Sequence, residues 1–146
     1  MASIPRRAVN LGRQAAAIHA VLPHAQTRVH KGRLWCCMTL QPAPICQVYT
    51  VQVTYRHRTR PRVIVVDPEL ELPPCATALP HVYPAGDLCL HLPGEWNDSM
   101  YLATTILPWT SEWLLHYELW LVTGRWSGSG HDHAVANGSA LMDPAE

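Results

Sequence analysis

The first 62 residues contain no aspartate or glutamate, although ten of the eleven lysine and arginine residues lie there. All eleven acidic residues follow from Asp67 onward, so the zero net charge of the chain hides a basic first part and an acidic remainder. This division predicts either a basic surface that attracts an acidic partner or two parts that neutralise each other in the fold. The sequence leaves both interpretations open.

Three further absences exclude whole classes of protein. No apolar run approaches the roughly 20 residues that span a bilayer, and no apolar segment follows the early arginines, so we expect a cytoplasmic protein without a membrane partner. The five cysteines are odd in number and form no Cys-x-x-Cys pair, which predicts free thiols rather than a disulfide framework or a zinc ribbon. No glycine-rich nucleotide-binding motif occurs. We therefore expect no cofactor and no ability to adenylate a carboxyl group.

The first half of the chain predicts one helix and about three antiparallel strands. Residues 10–22 favour a helix that Asn10 caps. The first strand is expected in the second part of TRVHKGRLWCCMTL, after its Lys-Gly turn. The second strand, ICQVYTVQVTY, alternates and places one set of side chains on a common face: Ile45, Gln47, Tyr49, Val51 and Val53. The third, RVIVVD, is a β-branched run typical of a buried strand.

The basic stretch RHRTRPR connects the last two strands. We interpret it as a solvated hairpin, because nucleic-acid binding would need aromatic platforms that this loop lacks. We therefore expect no nucleic-acid partner.

The second half predicts a long irregular segment followed by a helix. Residues 71–108 are rich in proline and show little periodicity, and ordered segments of this kind usually carry function. The following helix is expected to begin with Thr110 as N-cap and to end at Gly124. It is apolar nearly all round, which predicts a central buried helix. On it, Glu112 and His116 are spaced to pair, and a buried Glu118 would need a hydrogen-bond partner, a role in which it would brace the segment around Cys89.

The stretch LPHVYPAGDLCLH, residues 79–91, holds the candidate nucleophile Cys89. Its neighbours Leu88 and Leu90 favour a packing role for the cysteine. Its position in a Pro/Gly-bounded loop, with a histidine close by on each side, favours a reactive thiol. Asp87 counts against a thiolate because it places a negative charge nearby. The residues alone leave both roles open.

This stretch resembles the active-site segment of ubiquitin-conjugating (E2) enzymes, which carries His-Pro-Asn, then Tyr-Pro, a turn and Cys-Leu. Here the Asn position is His81, whereas Tyr83-Pro84 and Cys89-Leu90 match. The stretch ILPWTSEWLLHYELWLVTGRWSGSGHDH resembles a signature of bacterial E2-like proteins. These are encoded with cyclic-oligonucleotide antiphage defence systems (CBASS), beside a cGAS/DncV-like nucleotidyltransferase.

The resemblance implies an α+β, E2 (UBC)-like fold. Its elements would be an N-terminal helix, an antiparallel β-meander, an irregular active-site segment and a central crossing helix, with the later helices of eukaryotic E2s absent. We expect an E2-like conjugating domain over residues 10–133. A flexible N-terminus, 1–9, would precede it, and a disordered tail, 134–146, would follow.

The implied activity is that of a thioester carrier in the bacterial cytoplasm. Cys89 would accept the C-terminal carboxyl group of a ubiquitin-like protein or of the nucleotidyltransferase, activated by a separate E1-like enzyme, and would pass it to a lysine of a target. His81 would either donate a hydrogen bond in catalysis or merely brace the loop. The alternative function is a non-catalytic E2 variant, an adaptor that binds the nucleotidyltransferase.

The loop after the last predicted helix, SGSGHDH, corresponds to a loop in which E2 enzymes often carry an acid. This makes His131, Asp132 and His133 candidates for a general base or for positioning the incoming lysine. The alternative is a mobile surface turn. No third ligand accompanies the His-x-His pair, so we expect no metal site.

Overall fold

The computed structural model describes residues 7–127. Six regular elements follow one another: helix α1 (Leu11–Val21), strands β1 (Gln26–His30), β2 (Arg33–Leu40), β3 (Tyr49–Tyr55) and β4 (Arg62–Asp67), and helix α2 (Ile106–Thr123). A single turn of 3₁₀ helix, Leu102–Thr104, precedes α2. The predicted α+β class, with an initial helix, a meander and a later helix, is confirmed. The expected tail, 134–146, and most of the expected flexible N-terminus lie outside the described residues.

The four strands form one antiparallel sheet in the order β1-β2-β3-β4. The prediction of about three strands missed β1, which pairs with β2 along its whole length. The Lys-Gly dipeptide is the reason: both residues have positive φ, 49° at Lys31 and 73° at Gly32. Two positive φ angles in succession make the two-residue turn that best joins twisted antiparallel strands. The turn therefore links two strands instead of interrupting one.

Strand β3 begins later than predicted and supplies the middle of the core. Tyr49, Val51, Val53 and Tyr55 are all buried on one face, as the alternation indicated. Ile45, however, is 94% exposed and lies before the strand, as does Gln47. Their assignment to this face was wrong, because the β-pairing with β2 stops at Tyr49.

Strand β4 is not the buried strand that its composition predicted. Only Val63 is fully buried, while Ile64 and Val66 face solvent. The physical reason is its place at the edge of the sheet, where it pairs with β3 alone. An edge strand of an antiparallel sheet can leave one face wet even when every residue is β-branched.

Helix α1 begins at its predicted cap and is tied to the 3₁₀ turn. The Asn10 side chain accepts a hydrogen bond from the Arg13 backbone N–H at 3.1 Å, which satisfies one of the free donors of the first turn. Gln14 is fully buried. Its amide donates to the Met100 carbonyl at 2.8 Å and accepts from the Leu102 N–H at 2.9 Å.

Helix α2 begins one turn earlier than predicted. Its first residue is Ile106, and Pro108 lies within the first turn, where a missing N–H has no helical partner to lose. Thr110 is buried inside the helix, and its hydroxyl donates to the Ile106 carbonyl at 2.7 Å. The predicted end is confirmed, since Gly124 has a φ of 74° and its N–H bonds to the Trp120 carbonyl.

One face of α2 is buried and the other is not. The buried residues are Ile106, Leu107, Thr110, Trp113, Leu114, Tyr117 and Trp120. Leu119 is 44% exposed and Val122 is 86% exposed, so the predicted central buried helix is buried on one face only. Within residues 7–127, neither helix combines the length and the apolar character needed to cross a bilayer.

Candidate active site

The cysteine loop, defined here as residues 79–91, folds into a compact turn between β4 and α2. The Tyr83 N–H donates to the Asp87 carbonyl, and the Gly86 N–H donates to the Tyr83 carbonyl, both at 2.8 Å. Gly86 has a φ of 95°, a conformation that other residues reach only with strain. Val82 and Leu88 form an isolated antiparallel bridge across this turn. Pro-Ala-Gly therefore reverses the chain and brings the two arms of the loop side by side.

The two leucines beside Cys89 anchor the loop in the core. Leu88 and Leu90 are 3% and 4% exposed, whereas Cys89 between them is only partly buried. The Leu88 N–H donates to the Val63 carbonyl at 2.9 Å, which docks the loop on β4. The apolar neighbours that suggested a packing role thus fix the backbone, while Cys89 itself is less deeply buried.

The Cys89 thiol donates to the His91 carbonyl at 4.0 Å. Burial, followed by the interaction with Cys89, raises the pKa of Tyr83 in the same loop, so this phenol stays protonated at neutral pH. The Arg60 guanidinium stacks on the Tyr83 ring, with its carbon 3.8 Å from the ring centroid.

Asp87 is fully buried beneath this arrangement. Its carboxylate pairs with Arg60 at 2.6 Å and lies 3.7 Å from Arg62. Because two guanidinium groups face one carboxylate, Asp87 brings little net negative charge to Cys89. The negative charge of Asp87 is therefore a weaker argument against a reactive Cys89 than the sequence alone suggested.

His81 contributes its backbone as well as its ring. Its carbonyl accepts hydrogen bonds from the Cys89 N–H at 2.9 Å and from the Trp113 indole N–H at 3.1 Å. Its φ of 53° is left-handed, a region in which Asn, Asp and His are enriched. The ring packs against Trp126, with 5.2 Å between centroids. Burial, and then the positive charge of His116, lower the pKa of His81, so the imidazole is neutral at neutral pH.

A cleft of about 380 Å³ opens beside the cysteine loop. Tyr83 and His91 line it on the cysteine side, and Arg58 and Arg60 line it on the hairpin side. His91 is buried, with its ring 5.7 Å from that of Trp109. The cleft therefore borders the cysteine loop through Tyr83 and His91.

The other predicted site residues lie elsewhere or outside the description. His131, Asp132 and His133 are outside the described residues. Glu112 and His116 pair at 3.8 Å, as predicted. Glu118 accepts from the Gln47 N–H and the Tyr49 hydroxyl, so it braces the start of β3 and not the cysteine loop. Among residues 7–127, no three His, Cys, Asp or Glu side chains are grouped closely enough to hold a metal ion.

Three residues around Cys89 and His81 were not predicted as part of the site. Arg60 was assigned to a solvated hairpin, Tyr83 was noted only as part of a motif, and Trp126 was given no partner. The sequence signal for Arg60 is weak: a lone Asp87 in an apolar stretch implies a cation nearby without saying which. Nothing in the spacing of Trp126 indicates that it would reach His81, because that contact depends on how the chain turns after Gly124.

Comparison with known proteins gives one family match. The family model described as E2-CBASS, type II CBASS E2 protein, matches residues 14–134, which is most of the chain. No curated protein matches the chain.

Proposed function

Since the chain belongs to the family of type II CBASS E2 proteins, we propose that it is a conjugating enzyme in which Cys89 carries a protein's C-terminal acyl group as a thioester. The activated donor is the C-terminus of a cGAS/DncV-like nucleotidyltransferase or of a ubiquitin-like protein. The acceptor is a lysine amine of a target. A separate E1-like protein activates the donor, and the whole reaction belongs to antiviral defence.

The chemistry consists of two acyl transfers. The Cys89 thiolate attacks the carbonyl carbon of the thioester that links the donor to its activating protein. A new carbon–sulfur bond forms, and the activating protein leaves as its thiol or thiolate. A deprotonated amine then attacks the Cys89 thioester, and the cysteine leaves as the amide bond forms. Each attack places negative charge on a carbonyl oxygen, so a fixed donor near that oxygen lowers the barrier.

The observation that carries this proposal is a partly buried Cys89, between two buried leucines, on a loop fixed from both sides. The loop is held by the Leu88–Val63 bond and by the His81 carbonyl, which binds the Cys89 N–H. The cleft that borders the loop at Tyr83 and His91 gives room for an extended chain end. Preorganisation of this kind positions a nucleophile without further ordering at the moment of reaction.

We assign His81 a positioning role in this reaction. Its carbonyl holds the Cys89 backbone and its ring leans on Trp126, so it fixes the loop more directly than it faces the thiol. The catalytic hydrogen bond that an asparagine would supply remains the competing role. His131 and His133 stay predictions as general bases that deprotonate the lysine.

The deciding experiment follows a thiol-sensitive adduct. The wild-type chain is incubated with the nucleotidyltransferase of its own system and an activating enzyme, and products are separated on non-reducing gels. We expect an adduct that dithiothreitol removes, and its loss in Cys89→Ala. Cys75→Ala is the matched control, because Cys75 is an exposed free thiol outside the loop and should leave the adduct unchanged.

The same gels distinguish the adaptor. If the nucleotidyltransferase binds equally well to wild type and Cys89→Ala and no adduct forms, the carrier proposal fails and the adaptor stands. Release of the adduct by an added amine, compared between wild type and His131→Ala/His133→Ala, tests the general bases. Slower release that a higher pH restores supports them.

A further inference from the structure

Two clefts meet at the β3–β4 hairpin and share Thr59 and Arg60. The first, of about 240 Å³, is lined by the set Arg33, Thr54, Tyr55, Arg56, Thr59, Arg60 and Arg62. The second is the cleft beside the cysteine loop. We call the two together the arginine track. Tyr83 and His91 of the cysteine loop line the second cleft, so the track ends at the loop that carries the proposed nucleophile.

The charge of the track is strongly positive. Four arginines surround the first cleft, and no acidic residue lines it. Arg33 and Arg56 form no ion pair with any residue in the described range 7–127. Arg60 and Arg62 pair with the buried Asp87, which leaves a clear surplus of guanidinium charge. The one carboxylate lining the second cleft is Asp98, which accepts from the Tyr55 hydroxyl and the Arg58 N–H.

Guanidinium groups set along a cleft match carboxylates. Each arginine presents a planar fork that binds a carboxylate with two hydrogen bonds. One exposed pair contributes little, but several in a row bind and orient an acidic segment. Phosphates of a nucleic acid have a similar affinity for arginine, so charge alone does not choose between the two.

The aromatic residues of the track favour a polypeptide over a nucleic acid. Binding of single-stranded nucleic acid relies on exposed rings on which bases stack. Tyr55 and Trp96 are buried, at 2% and 8% exposure, and one face of Tyr83 is covered by Arg60. These rings therefore offer bases little to stack on. The track also leads to a thiol whose proposed substrate is the end of a protein.

We propose that the arginine track binds an acidic segment that lies just before the C-terminal carboxyl group of the donor protein and guides that end to Cys89. This inference rests on the proposed function and adds the chemistry by which the donor is recognised. Of the two interpretations of the basic first part of the sequence, it favours a surface that attracts an acidic partner over neutralisation by the acidic remainder of the chain.

The test measures binding of a labelled peptide to the full chain by fluorescence anisotropy. The probe is a fluorescein-labelled, C-terminal peptide with several glutamates, and its matched control carries glutamine at each of those positions. We expect the acidic peptide to bind about tenfold more tightly at low salt and to lose this advantage as salt rises. Arg33→Gln/Arg56→Gln should weaken binding about tenfold, since two exposed ion pairs are lost.

A charge-matched variant makes the result specific. Arg7→Gln/Arg13→Gln removes the same charge at exposed positions outside the track and should change binding less than about twofold. Equal binding of the two peptides, or an equal loss in both double variants, overturns the proposal. Tighter binding of a single-stranded oligonucleotide that displaces the acidic peptide would assign the track to nucleic acid instead.

Failure of this inference is separable from failure of the proposed function. Cys89→Ala should bind the acidic peptide as wild type does, because the cysteine lies beyond the track. An adduct that forms equally well on Arg33→Gln/Arg56→Gln leaves the carrier intact and removes only the track. Selective binding of the acidic peptide without any adduct would leave the arginine track intact and remove the carrier proposal.

Discussion

His81 has a backbone conformation that few residue types adopt without strain. Its left-handed φ of 53° costs an alanine about 1 kcal/mol but is tolerated by asparagine. We therefore expect His81→Asn to be more stable than His81→Ala by about 1 kcal/mol in urea unfolding. Both variants lose the imidazole, so their difference reports the backbone alone. Equal stabilities would mean that the loop relaxes away from this conformation.

The same residue predicts a dependence of stability on pH. Burial and the charge of His116 lower the pKa of His81 below its ordinary value of 6.5, so the unfolded chain binds this proton at a higher pH than the folded chain does. Above about pH 6.5, His81 is neutral in both states and takes nothing from the free energy of unfolding. As pH falls from there toward the folded pKa, protonation favours the unfolded chain and the free energy of unfolding decreases.

Urea unfolding at pH 7.5 and at pH 5.5 tests this linkage. Wild type should lose more stability between the two values than His81→Asn, because the other histidines titrate in both proteins. An identical loss in the two proteins would show that His81 is not held neutral by its surroundings.

At this scale the sequence predicted identities better than contacts. The spacing of Cys89, Tyr83 and His81 on one loop was readable because it is local. The pairing of Asp87 with Arg60 was not, since the two residues lie on different elements and meet only through the register of β4. A buried carboxylate requires a partner, and the chain alone offered eleven lysine and arginine residues from which to choose.

The cysteine loop is fixed to β4 and its preceding hairpin by ion pairs and a hydrogen bond. The fully buried Asp87 pairs with Arg60, in the hairpin that leads into β4, and lies 3.7 Å from Arg62, the first residue of β4. The Leu88–Val63 hydrogen bond lies beside it. Asp87→Asn should lower the free energy of unfolding by about 1–3 kcal/mol, because it leaves two cations facing a neutral amide. It should also speed reaction of Cys89 with Ellman's reagent, since the loop is less firmly held.

Arg33→Gln is the control for this prediction. It removes an arginine from the neighbouring cleft without touching Asp87. If both variants speed labelling of Cys89 alike, general charge and not the Asp87 pair governs the thiol. The readings are made in a Cys75→Ala background to remove the exposed thiol.

The elements predicted well were those whose signals are local. Asn10 and Gly124 mark helix ends through their own backbone and side-chain chemistry, and both were placed correctly. The start of α2 was not, because proline is compatible both with a loop and with a first helical turn. The burial of β4 was not either, since whether a β-branched run lies in the middle or at the edge of a sheet depends on which strands pair with it.

Trp126, in the chain just after α2, packs against the cysteine loop. Trp126 packs on His81 and Trp113, each with 5.2 Å between ring centroids, and on His116 at 6.1 Å. Residues that lie 45 positions apart, 126 minus 81, thus share one cluster. A change at Trp126 should therefore alter the surroundings of His81 and, through the His81 carbonyl, the position of Cys89.

Trp126→Ala tests this coupling across the molecule. Removal of the indole admits water to the imidazole, so the pKa of His81 should rise toward 6.5, and the free energy of unfolding should fall by about 1–3 kcal/mol. Titration of the histidine ring signals by NMR measures the pKa, and Trp126→Phe should restore part of the shift. Trp35→Ala is the matched control, because Trp35 is also partly buried but stacks with Arg28 on β1. It should lower stability without moving the pKa of His81. A pKa that stays low in Trp126→Ala would mean that the sheet and α2 alone bury His81, and that the segment after Gly124 has no hold on the loop.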